Sequence, residues 1–218
     1  MKNYFLYDIT VNTWVQSGPI TLRDLVGSVV LMEVFQVNCQ GCFLYALPKA
    51  IQLHETYHEK GLVVIGLATA FEDYDKNTLE NLQRLVEAGE VIGETLQALT
   101  ERGMLTNGKL EWRLPFAVGM DRVESDIEPV TQERTLRYAR KILPGFDELL
   151  EDKKQATFNQ VSNYLKQKTM KAETFERFSL QGTPSSILFD RKGHVRDFSF
   201  GQIEHQESLI EQFITSVD

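Results

Sequence analysis

The chain has 218 residues, 42% hydrophobic and 25% charged, with a formal net charge of −8. That length suits one enlarged domain with a sizeable core, and the composition argues against intrinsic disorder. The acidic balance argues against a general phosphate-binding surface, and no apolar run approaches the roughly 18 residues of a membrane span, so neither nucleic acid nor bilayer is an expected partner.

Between Met1 and Asp8 the apolar run is cut far short of the roughly 7–15 residues of a signal core. The chain is therefore expected in the cytoplasm, or in the periplasm if a leader has been removed. Ile9 to Val15 reads as a short strand, followed by a Gly18-Pro19 turn and a small helical piece stopped by Gly27. The next run, Val29 to Val37, is apolar and β-branched without alternation, which predicts a central parallel strand buried on both faces. Glu33 is its exception, an ionisable side chain where burial is expected.

That run leads into Cys39-Gln40-Gly41-Cys42, which holds both cysteines of the protein. A strand end followed by a helix start is where open α/β sheets place their chemistry. The first N–H groups of a helix lack partners and its dipole favours negative charge, so a Cys39 thiolate would be stabilised. C-x-x-C thiols at such sites titrate at roughly 3.5–7.5 instead of about 8.5. Residues three apart share a helix face, within reach of a disulfide. Cys39 is the candidate nucleophile and Cys42 the buried thiol that resolves a mixed disulfide. Half of a zinc site would require a second Cys or Cys/His pair, and no other cysteine exists. A structural disulfide closing so short a loop would add little stability.

The helix after Cys42 is predicted to run to Gly61, with Phe43, Leu44, Ala46, Leu47, Ala50, Ile51, Leu53 and Tyr57 on one face and a kink at Pro48. It contains His54-Glu55-Thr56-Tyr57-His58, an H-E-x-x-H pattern. The helical wheel turns both imidazoles toward the sheet and no third ligand is identifiable, so no metal is expected. Leu62 to Ala68 is the second parallel strand. Asn77-Thr78-Leu79-Glu80 is read as a capping box. Extra material, about 89–113, carries a helix from Val91 to Arg102 and an Asn107-Gly108 turn. The third strand comes next, and then a second insertion, about 122–174, broken by Pro144-Gly145 with Asp147 as helix cap. Leu136, Ala139, Ile142 and Leu143 form one apolar stripe there; Phe158, Val161, Tyr164 and Leu165 form another. Ser185–Asp190 and His194–Phe200 make a hairpin, and a last helix carries Leu209, Ile210, Phe213, Ile214 and Val217 on one face.

The C-x-x-C stretch resembles the thioredoxin superfamily, and its surroundings resemble the TlpA-like and redoxin branch. Three further stretches carry the resemblance: Thr21 to Gly27 before the first central strand; Phe116 to Asp121 as the third parallel strand; and Phe178-Ser179-Leu180-Gln181-Gly182-Thr183-Pro184 running into Ser185 to Asp190 and Gly193. Asn38 stands where the family often has tryptophan, and Gln40-Gly41 replaces the Gly-Pro of thioredoxins. The resemblance implies a thioredoxin-like α/β/α sandwich over residues 1–218 as a single domain, enlarged by the two helical insertions. It implies a cis Thr183-Pro184 bond that brings the Thr183 backbone beside Cys39, with Gly182, Thr183, Asn38, Gln40 and Gly41 meeting a substrate. A peptide could pair its main chain there. Glu33 lies where thioredoxins carry a buried acid; desolvation would raise its pKa and suit it as general base for Cys42. The implied activity is thiol–disulfide exchange, most simply reduction of protein disulfides. It uses no cofactor beyond the Cys39–Cys42 pair, and a redox partner resets that pair. Two alternatives stay open: a redox-sensing binding module that uses the helical insertions, and a peroxiredoxin-like peroxidase, which lacks its Pro-x-x-x-Thr lead-in here.

Overall fold

The computed structural model describes residues 5, 6, 9–201 and 205–216; Val217 and most of the Met1–Asp8 stretch lie outside them. The chain divides into two compact units, residues 1–122 with 172–218 and residues 123–171.

The first unit is built on a six-stranded sheet. Its strands are β1 (Val11–Gln16), β2 (Val29–Phe35), β3 (Leu62–Ala68) and β4 (Ala117–Asp121), then, beyond the short β5 (Val123–Ser125) and β6 (Met170–Ala172), β7 (Ser185–Phe189) and β8 (Val195–Phe200). Their spatial order is β1-β4-β3-β2-β7-β8. β2 pairs parallel with β3 along its whole length and antiparallel with β7, where Glu33 lies opposite Ser186. β3 and β4 are parallel, whereas β1 on β4 and β8 on β7 are antiparallel. The unalternated sequence of β2 is explained by this central place, since all seven of its residues are buried. Val30, Met32 and Val34 join Ile65, Leu67, Ile187, Phe189 and Phe178 in one cluster. Leu31, Glu33 and Phe35 therefore point to the opposite face. Each fully buried aliphatic or aromatic side chain contributes about 1.5–3 kcal/mol, which makes β2 a rigid base for the turn that carries the cysteines.

The helix after the cysteines starts at Gln40 and passes through a π turn, Cys42–Ala46, in which the Leu47 N–H reaches back to the Cys42 carbonyl. α1 (Leu47–Tyr57) continues it with Pro48 in its first turn, and buries Leu47, Ala50, Leu53 and Tyr57. The kink expected at Pro48 thus takes the form of a widened turn just before it, as the proline offers no N–H to the carbonyl four residues back. At Tyr57 the backbone leaves α geometry (φ −124°, ψ −5°), and a 3-10 turn, His58–Lys60, leads to left-handed Gly61. This rotation corrects one expectation. His54 is half-buried with its ring edge on Phe116, but His58 is exposed, stacked on His54 and bonded through Nδ1 to the His54 carbonyl.

α2 (Leu79–Ala88) is capped by Thr78, whose hydroxyl accepts from the Asn81 N–H at 3.2 Å. The cap is therefore Thr78, and Asn77, the first residue of the expected box, is used elsewhere. α3 (Gly93–Glu101) occupies most of the predicted Val91–Arg102 helix, and Asn107-Gly108 forms a tight turn with both residues at positive φ.

The second unit holds α4 (Gln132–Ile142) and α5 (Glu151–Gln167). Their stripes pack on each other through Ala139, Phe146, Val161 and Leu165, with Leu136 alongside, while Ile142, Leu143 and Tyr164 remain exposed. Asp147 does not cap α5. It lies in a 3-10 turn and pairs with Arg140, and Leu150 stands at the cap position. Asp126 is buried between Arg134 and Lys168, whose Nζ is 3.0 Å away. Back in the first unit, α6 (Glu173–Arg177) is fastened by buried Asp121, which accepts from the Thr174 and Phe175 N–H groups and the Thr69 hydroxyl. α7 (Gln206–Thr215) packs against β2 with Ile210 buried and Leu209, Phe213 and Ile214 partly so.

Candidate functional site: the Cys39–Cys42 centre

Leaving β2, Gln36 and Val37 carry the chain to Asn38 and Cys39, where the helix begins. Cys39 and Cys42 form a disulfide with Cα atoms 5.4 Å apart. Cys42 is fully buried, whereas Cys39 is partly exposed. The Cys42 N–H donates to the Cys39 sulfur at 3.2 Å, as an N-cap serine would receive the third N–H of its helix. In the reduced protein that bond and the helix dipole both favour a thiolate at Cys39.

The Thr183-Pro184 bond is cis, and the Thr183 carbonyl oxygen lies 3.5 Å from Cys39 Sγ. Pro184 is buried, and a Cβ on Gly41 would stand 3.6 Å from its Cδ, so this loop packs directly on the C-x-x-C turn. Gly182 is buried under the ring of exposed Phe200; a Cβ there would meet the ring at 2.7 Å. Gln40 is exposed beside the disulfide.

Asn38 is placed differently from Gln40. It is 7% exposed, and its amide is engaged within the chain. Nδ2 donates to Asp73 at 2.7 Å, Oδ1 accepts the Glu94 N–H at 2.8 Å, and the backbone N–H goes to Asn77 Oδ1 at 2.9 Å. The start of α3, with Gly93 at φ +53°, comes so close to Asn38 that a Cβ on Gly93 would collide with its amide. Thr95 adds a bond from its hydroxyl to the Val37 carbonyl at 3.0 Å. The first insertion therefore clamps the loop that delivers Cys39.

Sequence reading missed two supports, Asn77 and Gln36. Asn77 bridges Asn38 to the Glu72 carbonyl. Gln36, 1% exposed, donates to the same Glu72 carbonyl and accepts from the Thr183 hydroxyl at 3.1 Å, tying the cis-proline loop to the segment after β3. Buried amides next to a reactive cysteine were a usable signal, because buried polar groups demand partners. Glu72 itself is pushed above the ordinary carboxylate range by burial, then by neighbouring Asp73 and Glu94.

Glu33 lies on the face of β2 that α1 covers. It is 2% exposed; the Ser186 hydroxyl donates to Oε2 at 2.6 Å, and burial pushes its pKa up to about 8 against the lowering effect of that bond. No group of three or more His, Cys, Asp or Glu in a metal-holding arrangement occurs among the described residues.

No protein-family model and no curated protein sequence matches the chain. Solved structures do. A thiol-disulfide isomerase from Corynebacterium glutamicum is 25% identical, with 96% of this chain and 95% of that one covered and a TM-score of 0.57. A thioredoxin-like superfamily protein is 21% identical over 96% and 95% of the two chains, with a TM-score of 0.58. A thioredoxin-like protein in its oxidised form is 13% identical over the full length of both, with a TM-score of 0.54. Fold, disulfide position and the cis-proline loop converge: the chain has a thioredoxin-like fold, and its C-x-x-C pair, Cys39–Cys42, supports thiol–disulfide oxidoreductase activity.

Proposed function

We propose that the protein reduces disulfides in extended polypeptide segments, with Cys39 as nucleophile and Cys42 as resolving thiol. The Cys39 thiolate attacks one sulfur of the substrate disulfide, forming a mixed disulfide and releasing the other sulfur as a thiolate. Cys42, deprotonated, then attacks Cys39 Sγ, which restores the Cys39–Cys42 disulfide and releases the second substrate thiol. A dithiol partner supplies the two electrons that reset the pair. In a reducing compartment this direction is the favoured one. The observation that carries the assignment is the bond from the Cys42 N–H to Cys39 Sγ, which selects the partly exposed sulfur as the stabilised thiolate. The Thr183 carbonyl beside that sulfur supports main-chain pairing with an incoming strand, and exposed Phe200 next to Gly182 supports an apolar contact with it. Glu33 is the group poised to take the proton of Cys42, because an acid with a pKa of about 8 matches a thiol.

The test is turnover of insulin disulfides in the presence of a dithiol reductant. Cys42→Ser should trap a mixed disulfide at Cys39, and Cys39→Ser should neither trap nor turn over. Turnover that survives in Cys39→Ser would overturn the assignment.

A further inference from the structure

On the α1 face of the sheet the first unit carries a partly open cavity of about 430 Å³. A single water takes about 30 Å³ of liquid, so this space is large enough for a small molecule with a carbon skeleton. Glu33, Ser186 and Gln206 contribute its buried polar groups. Leu31, Leu44 and Leu53 are among its apolar walls, and half-exposed Tyr45 with Lys49 forms its rim.

Two side-chain atoms of its lining residues are buried without a partner among the described residues, Glu33 Oε1 and Gln206 Nε2. Their side chains belong to residues 2% and 3% exposed, and buried polar groups are normally satisfied. The unsatisfied groups share a polarity. Ser186 bonds Glu33 Oε2, and the neutral acid keeps one O–H donor on a side chain that lines the cavity. Gln206 Nε2 carries two N–H donors. Gln206 is also the first residue of α7, where no side chain caps the helix and the dipole favours an anion. At the rim Lys49 is shared between Glu207 at 2.6 Å and Gln52 at 3.1 Å, with Tyr57 holding Glu207 from the other side. The site thus presents buried donors, a rim ammonium and apolar walls.

We propose that this cavity binds a small organic acid, its carboxylate accepting from Glu33 and Gln206 and its short apolar tail lying along Leu31, Leu44 and Leu53. An acceptor bonded to the acid's O–H holds the proton on Glu33. Where Glu33 serves Cys42, the bound acid therefore slows resolution of the mixed disulfide; this consequence rests on the function proposed above, and the binding itself does not.

Hexanoate is the probe, with hexanol and hexylamine as length-matched controls, titrated into the oxidised protein and followed by NMR at the Gln206 side-chain amide and the Leu44 and Leu53 methyls. Hexanoate should give saturable shifts confined to these groups, and the controls should not. Gln206→Met and, separately, Lys49→Met should each weaken binding about tenfold, the loss expected for one hydrogen bond to a charged group, while insulin reduction without ligand stays at the parent level. Equal binding of hexanol or hexylamine, absence of saturable shifts, or unchanged affinity in both folded variants would overturn the proposal. Hexanoate binding in a protein that fails to reduce disulfides would remove the proposed function and leave this site standing.

Discussion

Glu33 in the first unit and Asp126 in the second are both buried carboxylates, and they differ in what meets them. Asp126 is pressed upward by burial, but hydrogen bonds from Lys168 and Arg134 outweigh that and hold it below the ordinary aspartate range. Glu33 meets one hydroxyl, so burial prevails and the group stays protonated until about pH 8. The Asp126 arrangement is a lock, since neither the charge nor its partners can move without large loss. The Glu33 arrangement keeps a proton available at the pH where thiols exchange theirs. In the proposed function, the raised pKa turns the same chemical group from a structural lock into a proton carrier.

The largest test of the contrast is Asp126→Ala. It leaves Arg134 and Lys168 buried without their shared anion and should cost about 3–5 kcal/mol of local stability. Hydrogen exchange or limited proteolysis of residues 123–171 reads it directly; unchanged protection would show that the cluster locks nothing. Glu33→Gln should act with the opposite sign. Its folded pKa of about 8 lies above the ordinary value of 4.5, so between those values the folded state binds the extra proton and the parent loses stability as pH rises. The variant should gain on the parent by about 1.4 kcal/mol per pH unit across that window, and the two should converge near pH 4 in denaturant titrations. The same substitution should slow release of a mixed disulfide at Cys39 without preventing its formation. A resolution rate unchanged from pH 6 to 9 would leave Glu33 a structural residue. Asp126 should show the reverse pH limb. Its contribution is present at neutral pH and is lost as pH falls through its depressed pKa, below the ordinary aspartate value. The smallest effect is expected from Gln36→Leu, which removes the link between Thr183 and Glu72; kcat/KM for a disulfide substrate should fall about tenfold, the loss of roughly one positioning hydrogen bond.

Much of this was legible in the sequence because it depends on local pattern. The unalternated run of Val29–Phe35 reads as a strand covered on both faces, and the cysteines following it inherit the helix start. Gly182-Thr183-Pro184 was readable through resemblance to a loop of the same composition. What escaped depends on contacts across the chain. Asn77 looks like a helix cap until the fold places it 2.9 Å from the Asn38 N–H, 39 residues away in sequence. Gln36 reads as the end of a strand, yet it connects two loops. His58 satisfied the wheel and left the apolar arc only because the helix tightens after Tyr57. Gln206 gave no signal, since only the packing of α7 on β2 carries its amide into the cavity beside Glu33.

In the proposed function Cys39 alone is the nucleophile, and its environment, not its neighbour in sequence, makes it so. Alkylation of the fully reduced, folded protein by iodoacetamide, followed by peptide mass spectrometry across pH 5–9, tests this directly. Cys39 should label rapidly, with an apparent pKa below the ordinary thiol value of about 8.5, while Cys42, fully buried, stays protected until the protein unfolds. Equal labelling of the two, or faster labelling of Cys42, would show that Cys39 is not the nucleophile.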